Sequence, residues 1–96
     1  MATADDMQRD YRAAFLRYLP RHDEAALHSG YLIGRAAVAN GVSMLELVCV
    51  HHEVLLEVLR DTPAADLADV AGGASQFLVE VLATFDMAQR ALLDGG

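Results

Sequence analysis

The stretch 43–60, SMLELVCVHHEVLLEVLR, constrains the fold more than any other part of the chain. It opens with a complete helix-start signal and is then too apolar for an ordinary surface helix. Ser43 followed by Glu46 is a capping box: the Ser hydroxyl accepts a hydrogen bond from an unpaired first-turn amide, and the Glu carboxylate reaches back to the cap amide. Val42 before the cap and Leu47 after it can close a hydrophobic staple. At roughly 100° per residue, Glu46, Glu53, Glu57 and Arg60 collect on one narrow stripe, with Val50 inside it. Met44, Leu45, Leu47, Val48, Cys49, Val54, Leu55, Leu56, Val58 and Leu59 cover most of the rest. An amphipathic surface helix carries an apolar arc of about 100° or somewhat more, and the arc here is nearer twice that. Such a helix is buried on two sides. In a small bundle one side is the chain's own core, and the expectation for the other is a second chain.

So apolar a helix matters more because the chain is short. Its 96 residues make one domain, and a domain of that size buries only about 60 to 65% of its unfolded surface. Hydrophobic residues are 54% and charged residues 22%, the composition of a folded chain. That much apolar content on a small body also favours oligomerisation. The net charge is -7, and every basic residue is Arg. An acidic domain fits neither nucleic acid nor an anionic membrane surface. The single Cys49 excludes an internal disulfide and suits a reducing cytoplasm. The N-terminal segment lacks the apolar core of a signal peptide. No apolar run approaches the length that spans a bilayer, and Glu53, Glu57 and the histidines interrupt the one candidate. The expected location is cytoplasmic, with no nucleic-acid or membrane partner.

The remaining signals are all helical, and no alternating β pattern competes with them. Thr3 with Asp6 resembles a cap for a first helix at 4–19, in which Met7, Tyr11, Ala14, Phe15 and Tyr18 recur at helical spacing and Pro20 ends the run. Asp23 can cap a second helix at 24–40. That helix carries a strip of small residues, Ala26, Gly30, Gly34 and Ala37. An interior Gly costs roughly 1 kcal/mol against Ala, so two of them one turn apart imply close approach of another backbone, either within the bundle or between subunits. Asn40-Gly41 is a helix stop. The third helix, 44–60, begins almost at once, so an antiparallel hairpin of helices two and three is expected. Thr62-Pro63 starts the last segment. Phe77, Leu78, Val81, Leu82, Phe85, Ala88 and Leu92 lie there at core spacing, and 64–93 reads as one long helix, bent or loosened at Gly72-Gly73, with two helices as the alternative. The expected fold is all-α, an antiparallel four-helix bundle forming a single domain over 1–96.

Catalytic chemistry has little to stand on. Zinc and di-iron sites in bundles place ligands one turn apart. His51 and His52 are adjacent and diverge by about 100°, and Val48, Leu55 and Leu56 occupy the positions one turn away. His51 falls on the apolar side and reads as a buried, hydrogen-bonded histidine, with an interface role as the alternative. Glu24 and His28 are one turn apart, but a pair on a solvated face is a weak signal. Cys49 reads as a buried structural thiol. Ser29, Ser43 and Ser75 have no triad or nucleophile elbow around them. Gly72-Gly73-Ala74-Ser75 lacks the Lys and the strand of a phosphate loop. No catalytic, cofactor-binding or metal-binding residues are expected, and no cofactor.

Several stretches in order resemble one family. They are Glu24-Ala25-Ala26-Leu27, Tyr31-Leu32-Ile33-Gly34-Arg35-Ala36, Gly41-Val42-Ser43-Met44-Leu45-Glu46-Leu47, His51-His52-Glu53, and Phe77-Leu78-Val79-Glu80-Val81-Leu82-Ala83 through Phe85-Asp86-Met87-Ala88-Gln89-Arg90. Together they look like the N-terminal helical domain of RsbU-type serine phosphatases, which activate bacterial partner-switching stress pathways. The chain departs from that pattern at Thr84, Asp86 and Gln89, where the family commonly has Pro, Glu and His. The resemblance implies a dimeric four-helix domain related in fold to the C-terminal domain of the clock protein KaiA. It also implies docking of a switch kinase of the RsbT type, which turns on the attached phosphatase. The chain is then either a free-standing regulator or a piece of a longer protein, and the ending Leu92-Leu93-Asp94-Gly95-Gly96, without a run-in to a further domain, leans to the first.

These readings converge on a non-catalytic homodimeric interaction module of a sigma-factor or stress pathway. The candidate dimer residues are Gly30, Gly34, Ala37, Leu45, Val48, His52, Leu56 and Leu59. The candidate partner-binding residues are Glu46, Val50, Glu53, Glu57, Asp66 and Asp69. The alternative is a sensor bundle holding a small apolar ligand or cofactor near His51, Cys49 and Met87.

Overall fold

A computed structural model of the protein describes residues 4–94. Four helices make up the bundle: α1 (Ala4–Tyr18), α2 (Glu24–Ala39), α3 (Met44–Arg60) and α4 (Leu67–Asp94), the last preceded by a 3-10 turn at Ala64–Asp66. No strand occurs among the described residues. The Thr3 cap expected for α1 lies outside them.

Local signals account for the helix ends. The Asp23 carboxylate accepts from the Ala26 amide at 2.8 Å and starts α2. The Ser43 hydroxyl accepts from the Glu46 amide at 3.1 Å, and the Ser43 amide donates to Glu46 Oε2 at 3.4 Å, which completes the capping box. Gly41 closes α2 at φ +72°, and the Val42 amide donates back to the Ala37 carbonyl at 2.8 Å. Pro63 lies one step earlier than expected. It precedes the 3-10 turn, and the α-helical hydrogen bonding of α4 starts only at Leu67.

The core is aromatic at its centre. Tyr11, Phe15, Phe77, Leu47, Val54 and Val81 are fully buried. The Phe77 ring meets Tyr11 edge-on at 5.3 Å and Phe15 at 5.7 Å, the geometry that aromatic quadrupoles favour. Burial of each such side chain contributes about 1.5 to 3 kcal/mol.

α2 makes its closest approach to α4. A Cβ on Gly30 would meet the Phe77 ring at 3.2 Å, and one on Gly34 would stand 2.6 Å from the Val81 carbonyl oxygen and 3.0 Å from the Phe85 amide. Two backbones therefore nearly touch at Gly34. Thr84 lies beside this crossing, buried, its hydroxyl donating to the Glu80 and Val81 carbonyls at 3.0 Å. The strip Ala26, Gly30, Gly34 and Ala37 is thus covered from inside the chain. Gly30, Gly34 and Ala37 have no surface to offer a second subunit, which corrects their assignment as dimer residues.

Two further expectations change. α2 and α3 are joined by a short connection but share little contact; each packs on α1 and α4 instead. The small-residue strip draws α2 onto α4, while α3 turns Leu47, His51 and Val54 inward. The Gly72-Gly73 pair leaves the helix hydrogen-bonded throughout. Gly72 faces open space, whereas a Cβ on Gly73 would lie 2.6 Å from His22 Nε2. His22 turns the chain between α1 and α2 at φ 52° and stacks on Tyr18, so Gly73 is small because that turn rests on it.

Candidate interaction surface

α3 presents three faces. Leu47, His51 and Val54 are buried, with Val50 and Val58 half-buried against the same core. The acidic stripe holds Glu46, Glu53 and Glu57. The third face runs through Leu45, Val48, Cys49, His52, Leu55, Leu56 and Leu59. It is mostly apolar and open along its middle: Leu45 is 72% exposed, Leu56 40% and Val48 37%, while Leu59 is half-buried and Leu55 is half-buried against the core. Cys49 is exposed there, which corrects the reading of a buried thiol. It lies at the outer edge of the arc, beside the acidic stripe and away from the core.

The buried face is held by one polar link. The Tyr11 hydroxyl lies 2.6 Å from His51 Nδ1, in a site where His51 is 7% exposed. Burial pushes the Tyr11 phenol well above its ordinary value, so it stays protonated and donates. His51 Nδ1 therefore accepts, and Nε2 carries the proton. Burial, then the charge of His52, holds the imidazole below the usual histidine value and keeps it neutral. The pair satisfies both groups and ties α3 to α1, a structural role.

The acidic candidates separate. Glu57 is half-buried and paired with Arg12 of α1. Val50 is half-buried against the core, which makes it a packing residue. Glu46 spends its carboxylate on the capping box. Glu53, Asp66 and Asp69 are exposed, the last two around the start of α4.

Among the described residues, no three His, Cys, Asp or Glu side chains converge as metal ligands. His51 is buried while Cys49 and Met87 are exposed on different helices, so the three do not meet in one cavity. Surface grooves do exist, one of about 260 Å³ lying between α2 and α4 and lined by Tyr31, Arg35, Thr84, Met87, Ala88 and Ala91. Arg35 lies over the Tyr31 ring and donates to its hydroxyl at 3.0 Å. The sequence reading missed this groove, because periodicity locates a helix face but not the neighbour beside it. It also overreached at Leu92, which is 66% exposed.

The family described as the phosphoserine phosphatase RsbU, N-terminal domain, matches residues 9–88. The chain belongs to this family. Comparison with the curated proteins and with the solved structures gives no match. The RsbU N-terminal match spans the whole of α2 and α3, so both the α2–α4 crossing and the uncovered face of α3 lie within the family region. It is the non-catalytic part of the phosphatase that is matched, which places the chain in the regulatory setting of that family. No described helix of this RsbU N-terminal domain is long and apolar enough to cross a membrane.

Proposed function

We propose that this RsbU N-terminal domain is a non-catalytic, cytoplasmic interaction module that forms a homodimer through the outer face of α3. As a dimer it holds a regulatory protein of a bacterial partner-switching pathway, such as an RsbT-like switch kinase. The uncovered apolar arc of α3 carries this reading, with Leu45 at its most exposed point. Contiguous exposed apolar surface of this kind marks an interaction site. The acidic side chains Glu53, Asp66 and Asp69 remain outside the arc and are offered to the regulatory partner. Binding shifts that partner's conformational equilibrium only as far as the dimer prefers one of its states.

Sedimentation velocity at micromolar concentration tests the first half. A dimer is expected for the wild-type chain, and a folded monomer for Leu45→Glu with Leu56→Glu. A wild-type monomer would remove the reading. Calorimetric titration with an RsbT-type kinase tests the second half, with Glu53→Lys and Asp69→Lys expected to weaken binding while the dimer persists.

A further inference from the structure

Arg35 stands beside the groove between α2 and α4 with a charge that no described carboxylate answers. Its guanidinium lies over the Tyr31 ring, 5.8 Å from the centroid, and donates to the Tyr31 hydroxyl at 3.0 Å. His28, one turn earlier, stacks on the same ring at 5.3 Å. The three side chains brace one another along α2, so the guanidinium is positioned before any ligand arrives. Arg35 makes no ion pair among the described residues. Asp86, within the stretch of α4 that lines the groove, is paired with Arg90 at 3.1 Å. The Tyr31 oxygen accepts from Arg35, which leaves its own proton to donate. The remaining guanidinium N–H groups and the Tyr31 hydroxyl thus offer adjacent donors. The rest of the lining is mostly apolar: Met87, Ala88 and Ala91, with Thr84 turning its hydroxyl back to its own helix.

We infer that this groove binds a small free carboxylic acid with an apolar tail, its carboxylate on Arg35 and Tyr31 and its tail along Met87, Ala88 and Ala91. The site is separate from the outer face of α3 and does not depend on it.

Size, length and charge select this occupant. The groove holds about 260 Å³, which at roughly 30 Å³ for each atom-sized unit of liquid is room for about nine heavy atoms. From Thr84 to Ala91 it runs two turns of α4, about 10 Å. An extended peptide would place only about three residues in that length, far short of the roughly 800 Å² that each partner gives to a specific protein interface. Arg35 is the one cation in the lining. Its planar fork matches a monoanion with two oxygens, whereas a phosphate dianion calls for more positive charge than the lining brings. The net charge of -7 repels anions at long range. At physiological salt that field is screened beyond about 8 Å, so direct contact with Arg35 outweighs it. Met87, unbranched and 65% exposed, can fold down over an apolar tail.

The full chain, isotope-labelled, is titrated at neutral pH with sodium heptanoate and, separately, with heptan-1-ol, and backbone amide shifts are followed by NMR. Saturable shifts at Tyr31, Arg35, Thr84, Met87, Ala88 and Ala91 are expected for heptanoate, with a dissociation constant on the order of millimolar for so small a ligand. Arg35→Gln should weaken heptanoate about 3- to 10-fold, the range for an exposed but braced guanidinium, and heptan-1-ol should bind the wild type more weakly by a similar factor. Ala91→Phe, at an exposed position, should fill the groove and abolish saturation, with helicity by circular dichroism unchanged. Shifts that do not saturate, shifts centred on Leu45 and Leu56 of α3, equal binding of acid and alcohol, or Arg35→Gln binding heptanoate as the wild type does overturns the inference. Movement of the same amides when the protein alone is diluted means that a second copy occupies the groove, and overturns it as well. The α3 reading is decided separately, by sedimentation.

Discussion

α2 and α3 carry the same kind of excess, more apolar surface than a single core contact needs, yet they resolve it in opposite ways. The Ala26, Gly30, Gly34 and Ala37 strip of α2 finds its neighbour in α4 of the same chain, so close that Gly34 has no room for a methyl group. The Leu45, Val48 and Leu56 face of α3 finds none. Side-chain size explains the difference. Small residues let two backbones approach within one subunit, where the connections hold the helices in place. Branched aliphatic residues on the far side of a helix point where a bundle of four has no further element.

Substitutions separate the two cases. The largest effect belongs to the inner face of α3: Leu47→Ala removes a fully buried side chain and is expected to cost about 2 to 5 kcal/mol, measured by urea denaturation. A loss below about 1 kcal/mol would mean that α3 is held by its outer face instead. Next comes Gly34→Ala, whose Cβ runs into the Val81 and Phe85 backbone, at about 1 to 3 kcal/mol. Gly30→Ala meets only side-chain atoms, at 3.2 and 3.3 Å, and should cost less. Equal costs would move the tight point of the α2–α4 crossing away from Gly34.

A third test uses pH on the link between α3 and α1. Burial favours neutral His51 in the folded state, so the unfolded chain binds the extra proton. Stability is then fully present above the ordinary histidine value near 6.5 and declines as pH falls below it. Thermal midpoints should drop between pH 7 and 5 in the wild type and drop less in His51→Gln. Parallel declines would place the acid response elsewhere.

The smallest effects lie outside the core. Gly72 faces open space in the middle of a helix, and Gly72→Ala should stabilise by about 0.5 to 1 kcal/mol. Leu45→Gln should leave the stability of the isolated subunit within about 0.5 kcal/mol while weakening the dimer. A large loss in dilute protein, where only monomer is present, would show that the α3 face is covered from within after all.

Much of the fold was legible because its signals are local. Ser43 with Glu46, Asp23, and Asn40-Gly41 act within a few residues of themselves, and each marks a helix end in the structure. Met7, Tyr11, Ala14, Phe15 and Tyr18 announced the buried face of α1 by spacing alone. The candidate site was legible in part. The double apolar coat of α3 was evident, but the helical wheel could not say which arc the bundle would use. It misplaced Cys49 for that reason, and it left Gly30 and Gly34 undecided between two kinds of close approach.

The sequence by itself determined four helices, the caps of α2 and α3, the aromatic residues of the core and the surplus of apolar surface on α3, because hydrogen-bond capping and helical periodicity need no distant partner. Only the tertiary structure decided that α2 spends its glycines on α4, that α2 and α3 do not pack together, and that Leu45, Val48 and Leu56 face outward. Those outcomes depend on which helices become neighbours, and that is set by the fit of side chains far apart in the chain.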